Sequence, residues 1–181
     1  EKFMHHFHVP LQSGSNKILS SMRRRYKSDL YKDRVEKIKR TIPDACIGVD
    51  VIVGFPGETN DDFLDTYNFL NELDVAYLHV FTYSKRSNTV AAEMRKIVPK
   101  ETRTKRSKML HILSDKKQRY FNDQFIDTTR PVLFENVKNG KLYGYTDNYI
   151  QIRINGGFEL INSILPVKLV SNHGAAVFGT I

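Results

Sequence analysis

The sequence predicts an α/β unit of parallel strands followed by a small five-stranded antiparallel barrel of the oligonucleotide-binding kind. Three observations carry this. Short β-branched apolar runs alternate with amphipathic stretches in steps of about thirty residues, the pattern of parallel strands joined by right-handed helical crossovers. After a long basic helical stretch, near Ile126 to Thr129, the hydrophobic period changes to two. From there turn signals at Asn139-Gly140, Asp147-Asn148 and Asn155-Gly156-Gly157 separate short strands. The boundary predicted from the change of period divides residues 1–126 from residues 127–181.

The first element is a strand from His5 to Val9, which ends at Pro10 because proline biases the residue before it away from helix. Apolar residues then recur at helical spacing over Asn16–Met22 and Ser28–Ile42, the second with Ser28 as N-cap and Leu30, Tyr31, Val35, Ile38 and Ile42 in one stripe. Cys46–Val53 reads as a buried strand, stopped by Gly54, Pro56 and Gly57. Thr59 opens the next helix, with Asp62 at the capping-box spacing and Phe63, Tyr67, Leu70 and Leu73 on its buried side. Ala76–Tyr83 reads as a second buried strand. A helix from Pro99 to Phe125 follows, with Met109, Ile112, Leu113, Tyr120 and Phe121 expected inward. The five strands of the second part are Pro131–Val137, Lys141–Thr146, Tyr149–Ile154, Ile164–Val170 and Ala176–Ile181, the strand count of a small oligonucleotide-binding barrel. Three parallel strands cannot close a barrel, so the first part has an exposed sheet edge or lacks its other half, and the second reading is preferred.

The chain has 181 residues, 28 Lys and Arg against 20 Asp and Glu, and a net charge of +8. That excess favours an anionic partner such as nucleic acid. One cysteine, Cys46, excludes an internal disulfide and any cysteine-only metal or cluster site within one copy. No apolar run reaches the length of a membrane span and no signal-peptide core opens the chain, so a cytoplasmic protein without a membrane partner is expected. Glu1 is not an initiator residue, which suggests a piece of a longer protein.

Chemistry-bearing residues concentrate in the loops after the three α/β strands. Ligands of such folds sit at the carboxyl ends of the strands, where loops vary freely and helix amino-termini point inward. The strings HVPLQSGSNKILSSMRRRY, DVIVGFPGETNDDF and LHVFTYSKRSNT, in that order, resemble the second half of the radical S-adenosylmethionine barrel of the methylthiotransferase family. The tail from Pro131, with VLFENVKNGKLYGYTDNYIQI, resembles the TRAM domain that closes those enzymes and binds RNA. Coverage is nearly the whole chain. Within the family, LHVFTYSKR is similar to the branch acting on threonylcarbamoyladenosine beside the anticodon.

The resemblance implies S-adenosylmethionine as cofactor and, in the full-length protein, two four-iron, four-sulfur clusters whose ligands this chain does not contain. It also implies a tRNA anticodon stem-loop as substrate and an absent amino-terminal half of the same protein as partner. No residue of this chain is then catalytic, and the isolated chain is expected to be inactive. Carbon 2 of adenine carries an unactivated C–H bond that no side chain can deprotonate, so the cofactor must carry the difficult step. The base has to leave its stack to meet it.

On the expected cofactor loops, Gln12 and Ser13 either bond polar groups of the cofactor or cap the Asn16 helix. Arg23, with Arg24 and Arg25, pairs with the methionine carboxylate or with phosphate, or is a solvated helix-end charge. Asp50, an acid inside an apolar strand, needs a partner such as a ribose hydroxyl or an arginine. Val53, Gly54 and Phe55 form an adenine wall or a tight turn. Phe81 and Tyr83 share one side of the third strand and face the cofactor or the core.

The candidates for RNA contact are Arg103 and Arg106 on the basic helix and Lys138, Lys141, Tyr149 and Arg153 on the barrel, where cations interleave with aromatics. Their alternative is a solvated charged face. His5, His6 and His8 hint at a metal, but only His6 and His8 share a strand face and no neighbouring carboxylate completes a set, so no metal is expected. Alternative readings are an isopentenyladenosine tRNA methylthiotransferase, a ribosomal-protein aspartate methylthiotransferase, and a non-catalytic RNA-binding module. An open sheet edge leads to the expectation of self-association.

Overall fold

The structure is a computed structural model that describes residues 3–174 and 176–181. The chain divides into two compact units. One comprises His8–Pro43 and Ile47–Ser114, the other the described residues up to Phe7, Asp44–Cys46 and Asp115–Ile181.

β1 (His6–His8, whose last residue lies in the first unit), β2 (Cys46–Val53, in the first unit from Ile47) and β3 (Tyr77–Thr82) form a sheet in the order β1-β2-β3. β2 and β3 are parallel in the register Asp50 to His79 and Ile52 to Phe81. Gln12 extends the other side through a parallel bridge to Val51. Helices α1 (Asn16–Ser21), α2 (Ser28–Thr41), α3 (Asn60–Glu72) and α4 (Val90–Glu93) follow the strands, and α5 (Lys100–Asp123) begins in this unit. The core is Leu11, Ile18, Leu19, Val35, Ile47, Val49, Val51 and Leu70, all almost fully buried.

Several elements differ from the sequence reading, each for a local reason. Ser28 is the first helical residue, not the N-cap: Lys27 holds that position without a side-chain bond, while Ser28 N and Oγ both donate to Asn16 Oδ1 at 2.9 and 3.1 Å. Leu30 of the expected stripe is exposed. β3 is not buried on both sides, because within it Leu78 alone is buried and His79 and Phe81 face outward. On α5 the buried line runs through Arg106, Leu110, Leu113, Ser114 and Phe121, leaving Ile112 and Tyr120 exposed. The helical period alone could not show that a charged residue, Arg106, belongs to the inward row.

Two clamps position the loops. Thr59 and Asp62 form a full capping box at the start of α3, and Asp62 also receives Ser15 Oγ at 3.0 Å and Lys17 Nζ at 2.6 Å. Burial pushes the Asp62 carboxyl up, but the bonds from Lys17, Thr59 and Ser15 outweigh it and hold the group well below the usual carboxylate range. In the second clamp Glu58 folds back over the Gly54–Gly57 turn. Its Oε2 accepts Gly54 N–H at 3.0 Å, and its Oε1 accepts buried Arg106 Nη1 at 2.5 Å. Burial raises the Glu58 carboxyl against the pull of Arg106. Gly54 has φ +76°, and the space a Cβ would take is filled by the Arg103 methylenes.

In the second unit β4 (Thr129–Lys138), β5 (Lys141–Thr146), β6 (Gln151–Asn155), β7 (Ile164–Asn172) and β8 (Val177–Thr180) close a barrel in the order β4-β5-β6-β8-β7. It is not wholly antiparallel as expected, since β6 and β8 pair in parallel through Ile152 to Val177. That pairing closes the barrel between strands that are not consecutive. Asn139 and Gly140 both have positive φ, 51° and 68°, as a two-residue hairpin turn requires. Val132, Phe134, Leu142, Ile152, Val167, Leu169 and Val177 fill the interior. Arg130 forks onto Asp147 at 2.7 and 2.8 Å and reaches Asp44 at 2.6 Å, and Asp44 also bonds His5 at 2.8 Å. Among the described residues no helix is long and apolar enough to cross a membrane.

Three outcomes follow from these clamps. Thr59→Ala is expected to cost about 1 kcal/mol in urea denaturation. Because the Asp62 carboxyl is depressed in the fold, its stabilisation is complete above the unfolded value near 4 and is lost as pH falls below it. Asp62→Asn is therefore less stable than the parent at pH 7, and the gap narrows as the pH drops below about 4. Gly54→Ala and Gly57→Ala both place alanine at positive φ, a cost of about 1–2 kcal/mol each. Only at Gly54 must Arg103 also move, since nothing lies within 4 Å of a Cβ at Gly57. The Gly54 variant is expected to lose more stability, measured by the same denaturation.

Candidate functional site

A cavity of about 800 Å³ opens at the carboxyl ends of the strands in the first unit. Gln12, Asp50 and Tyr83, one from each strand region, line it together. The parallel register explains why: residues paired across a parallel sheet share a face, so Asp50 and Ile52 stand beside His79 and Phe81. Val49, Val51 and Val53 turn to the other face and are buried there.

Gln12 is held by its backbone. Its N–H donates to Asp50 O at 2.8 Å and its carbonyl accepts from Ile52 N at 2.9 Å, with φ at +75°. A non-glycine residue in the left-handed region is strained, and such strain collects at functional sites. Arg23, at φ +58° beyond the end of α1, is a second case, and Arg23, Arg24 and Arg86 bring three guanidinium groups to the cavity rim. Tyr26 Oη donates to Leu11 O at 2.9 Å and Tyr31 Oη to Val9 O at 2.5 Å, fastening the loop that carries Gln12. Phe55 meets Tyr83 edge-on at 5.5 Å between centroids. The Tyr83 hydroxyl is buried without a hydrogen-bond partner, and Arg103 Nη1 donates to the Tyr83 carbonyl at 2.7 Å.

Of the residues singled out for cofactor contact, Gln12, Arg23, Asp50, Phe81 and Tyr83 meet at this cavity, and Phe55 joins them. Ser13, Val53 and Gly54 do not line it. Ser13 is buried against Thr66 Oγ1 at 3.1 Å, Val53 lies in the sheet core, and the close approach that Gly54 permits is taken by Arg103. Arg106 is 4% exposed and bound to Glu58 and Asn60, so its guanidinium holds the fold together and does not present itself to RNA. Arg103 is likewise committed to the Tyr83 carbonyl.

Two groups escaped the sequence reading. Glu58 is the buried acid that shapes the second loop, legible only as a charge next to a turn. His79 comes beside Asp50 across the sheet, and His8 Nε2 bonds Asp50 Oδ1 at 2.7 Å. The carboxylate that His8 lacked in sequence is therefore supplied by the neighbouring strand.

On the barrel, Lys138, Tyr143, Tyr145, Gln151 and Arg153 line a shallow groove. Arg153 lies over the rings of Tyr143 and Phe178 at 5.0 and 5.2 Å. Tyr145 and Tyr149 stack at 4.7 Å, and Tyr149 stacks on His6 at 4.0 Å. Tyr145 is half-buried on the outer side of β5, not in the core. Lys141 and Tyr149 lie outside the groove lining, Lys141 bonding Asn155 at 2.5 Å. A row of aromatic faces and cations suits stacking of unpaired bases.

The first-unit cavity has the size of a small-ligand site, with aromatic walls, a carboxylate and a cationic rim, and its wall contains an orphaned hydroxyl. These residues fit a nucleoside joined to an amino acid, the build of S-adenosylmethionine. They do not fit an iron–sulfur cluster, because the one cysteine, Cys46, is buried in β2.

Residues 1–70 match the family model of the Radical SAM superfamily. The chain is 38% identical over 175 residues to the threonylcarbamoyladenosine tRNA methylthiotransferase MtaB of Bacillus subtilis (strain 168), covering 94% of this chain and 39% of that protein. It is 36% identical over 174 residues to the tRNA-2-methylthio-N(6)-dimethylallyladenosine synthase of Wolinella succinogenes, covering 95% and 40%. The corresponding synthase of Natranaerobius thermophilus is 36% identical, with 99% and 41% covered. The chain thus spans about two fifths of the length of the curated relatives it matches. A superfamily match at one end and methylthiotransferase likeness along nearly all its length are consistent with a part of a radical S-adenosylmethionine methylthiotransferase.

Proposed function

We propose that this chain is the part of a cytoplasmic tRNA methylthiotransferase that holds S-adenosylmethionine and grips the anticodon arm, the target being the threonylcarbamoyl-modified adenosine beside the anticodon. The observation that carries the reading is the convergence of Gln12, Asp50 and Tyr83 on one cavity with a guanidinium rim. S-adenosylmethionine, together with an iron–sulfur cluster, supplies the radical chemistry of the family. The chain's own residues do the holding. Phe55, Phe81 and Tyr83 offer flat apolar walls to an adenine, and Gln12 and Asp50 offer an amide and a carboxylate to ribose hydroxyls. Arg23 or Arg24 pairs with a methionine carboxylate, for which a guanidinium is the bidentate partner.

The barrel groove supplies the other half. Tyr143, Tyr145 and Arg153 present stacking faces to unpaired bases, and Lys138 tracks the phosphates. The threonylcarbamoyl branch is favoured by the LHVFTYSKR string and by the likeness to the Bacillus protein. Cluster ligands, and with them turnover, would come from the remaining length of such a protein. The 181-residue chain by itself would bind without reacting.

Calorimetry of the 181-residue chain is expected to show S-adenosylmethionine binding that weakens in Asp50→Ala and Tyr83→Ala. No heat with the parent chain would remove the cofactor reading and leave an RNA-binding module. Anticodon stem-loop RNA should bind with an affinity that falls linearly in log–log salt plots, by about 0.7 per phosphate contacted. Substrate choice is checked by deleting the intact gene and resolving tRNA nucleosides by mass spectrometry. Loss of the methylthio group from threonylcarbamoyladenosine alone is expected, whereas loss from isopentenyladenosine would transfer the assignment to the other branch.

A further inference from the structure

The sheet of the first unit carries a constellation of which Asp50 alone has a part in cofactor holding, while its two imidazoles serve neither the cofactor nor RNA. His8 at the end of β1, Asp50 in β2 and His79 in β3 stand side by side on three adjacent strands. Each offers one ligand atom, and the three atoms lie within 4.8 Å of one another. His8 Nε2 already sits 2.7 Å from Asp50 Oδ1, and the His8 and His79 rings are 5.2 Å apart at their centroids. Both imidazoles are exposed and the carboxylate is half-buried, so an ion can enter.

We propose that His8, Asp50 and His79 form a mononuclear divalent-cation site, filled by zinc or a neighbouring first-row transition metal. Two imidazoles and one carboxylate are the donor set such ions take, and hard cations that want only oxygen do not. Tetrahedral ligand bonds of about 2.0–2.2 Å place donors about 3.3–3.6 Å apart, so separations of up to 4.8 Å close, and the 2.7 Å contact of His8 with Asp50 opens, by side-chain rotations of about an ångström. Three protein ligands leave at least one position open, and because Asp50 also lines the cavity, that position lies beside the space assigned to the nucleoside. The ion displaces the proton shared between His8 and Asp50, since both must be unprotonated where they bind metal. Sheet strands hold the three ligands in register, a more rigid mounting than a loop provides.

The site does not depend on the methylthiotransferase reading, because it is built only from groups in this sheet. Its test is titration of the metal-free 181-residue chain with Co²⁺, read by the visible d–d bands, and with Zn²⁺, read by calorimetry. One ion per chain is expected, with His8→Ala and His79→Ala each weakening binding at least about tenfold, the lower end of what even outer-shell changes cost at metal sites. Asp50→Asn, which keeps the shape but not the charge, should weaken it similarly. Circular dichroism of each variant without metal establishes that it is folded. His5→Ala is the control, because His5 belongs to a separate cluster with Asp44 and Asp147. Binding lost in His5→Ala but kept in His79→Ala would overturn the proposal. A thiolate-to-cobalt charge-transfer band, which would move the ion to Cys46, would overturn it too, as would the absence of any metal-dependent band.

Discussion

The first-unit site depends on two backbone hydrogen bonds at Gln12. By donating to Asp50 and accepting from Ile52, this residue ties the first loop to β2 one strand-length beyond the end of β1. The tie is made in a left-handed conformation, so the surroundings must hold it. Tyr26 and Tyr31 do so from α2 and its approach by binding the carbonyls of Leu11 and Val9, and Asp62 does so by bonding Ser15 and Lys17 on the far side of the loop. With the loop fastened, Arg23 and Arg24 reach the rim that Asp50, Phe81 and Tyr83 also border.

The second loop follows the same logic with buried charge in place of strain. Burying Glu58 and Arg106 is costly for each alone, and the pair is sustained because both ends are multiply bonded. The result is a turn whose backbone is closed by a carboxylate and whose glycine is packed by the neighbouring arginine stem. Positive charges on α5 therefore divide into two kinds. Arg103 and Arg106 serve the fold, while residues such as Lys105 and Lys108 are exposed and contribute to the basic surface.

Much of this was legible from residue order. Thr59 with Asp62 announced its capping box because that motif is local, satisfied within four residues. The Asn139-Gly140 turn was legible because both residues tolerate positive φ. The limits of β2 and β5 also match those read from the sequence. Arg106, His79 and the parallel closure of β6 with β8 were hidden for one shared reason: each depends on a partner tens of residues away, to which spacing along the chain is blind.

The sequence by itself determined the alternation of strands and helices, the change to a barrel, the cationic balance and the family likeness, because periodicity, turn chemistry and motif order are properties of neighbouring residues. Only the tertiary structure decided which residues face one another. Parallel pairing set Gln12, Asp50 and Tyr83 around one cavity, and the same register put His8 and His79 on either side of a carboxylate. Which face a strand residue takes follows from its own period of two, but what it meets there follows from the register with its neighbours, fixed by hydrogen bonds between segments far apart in the chain.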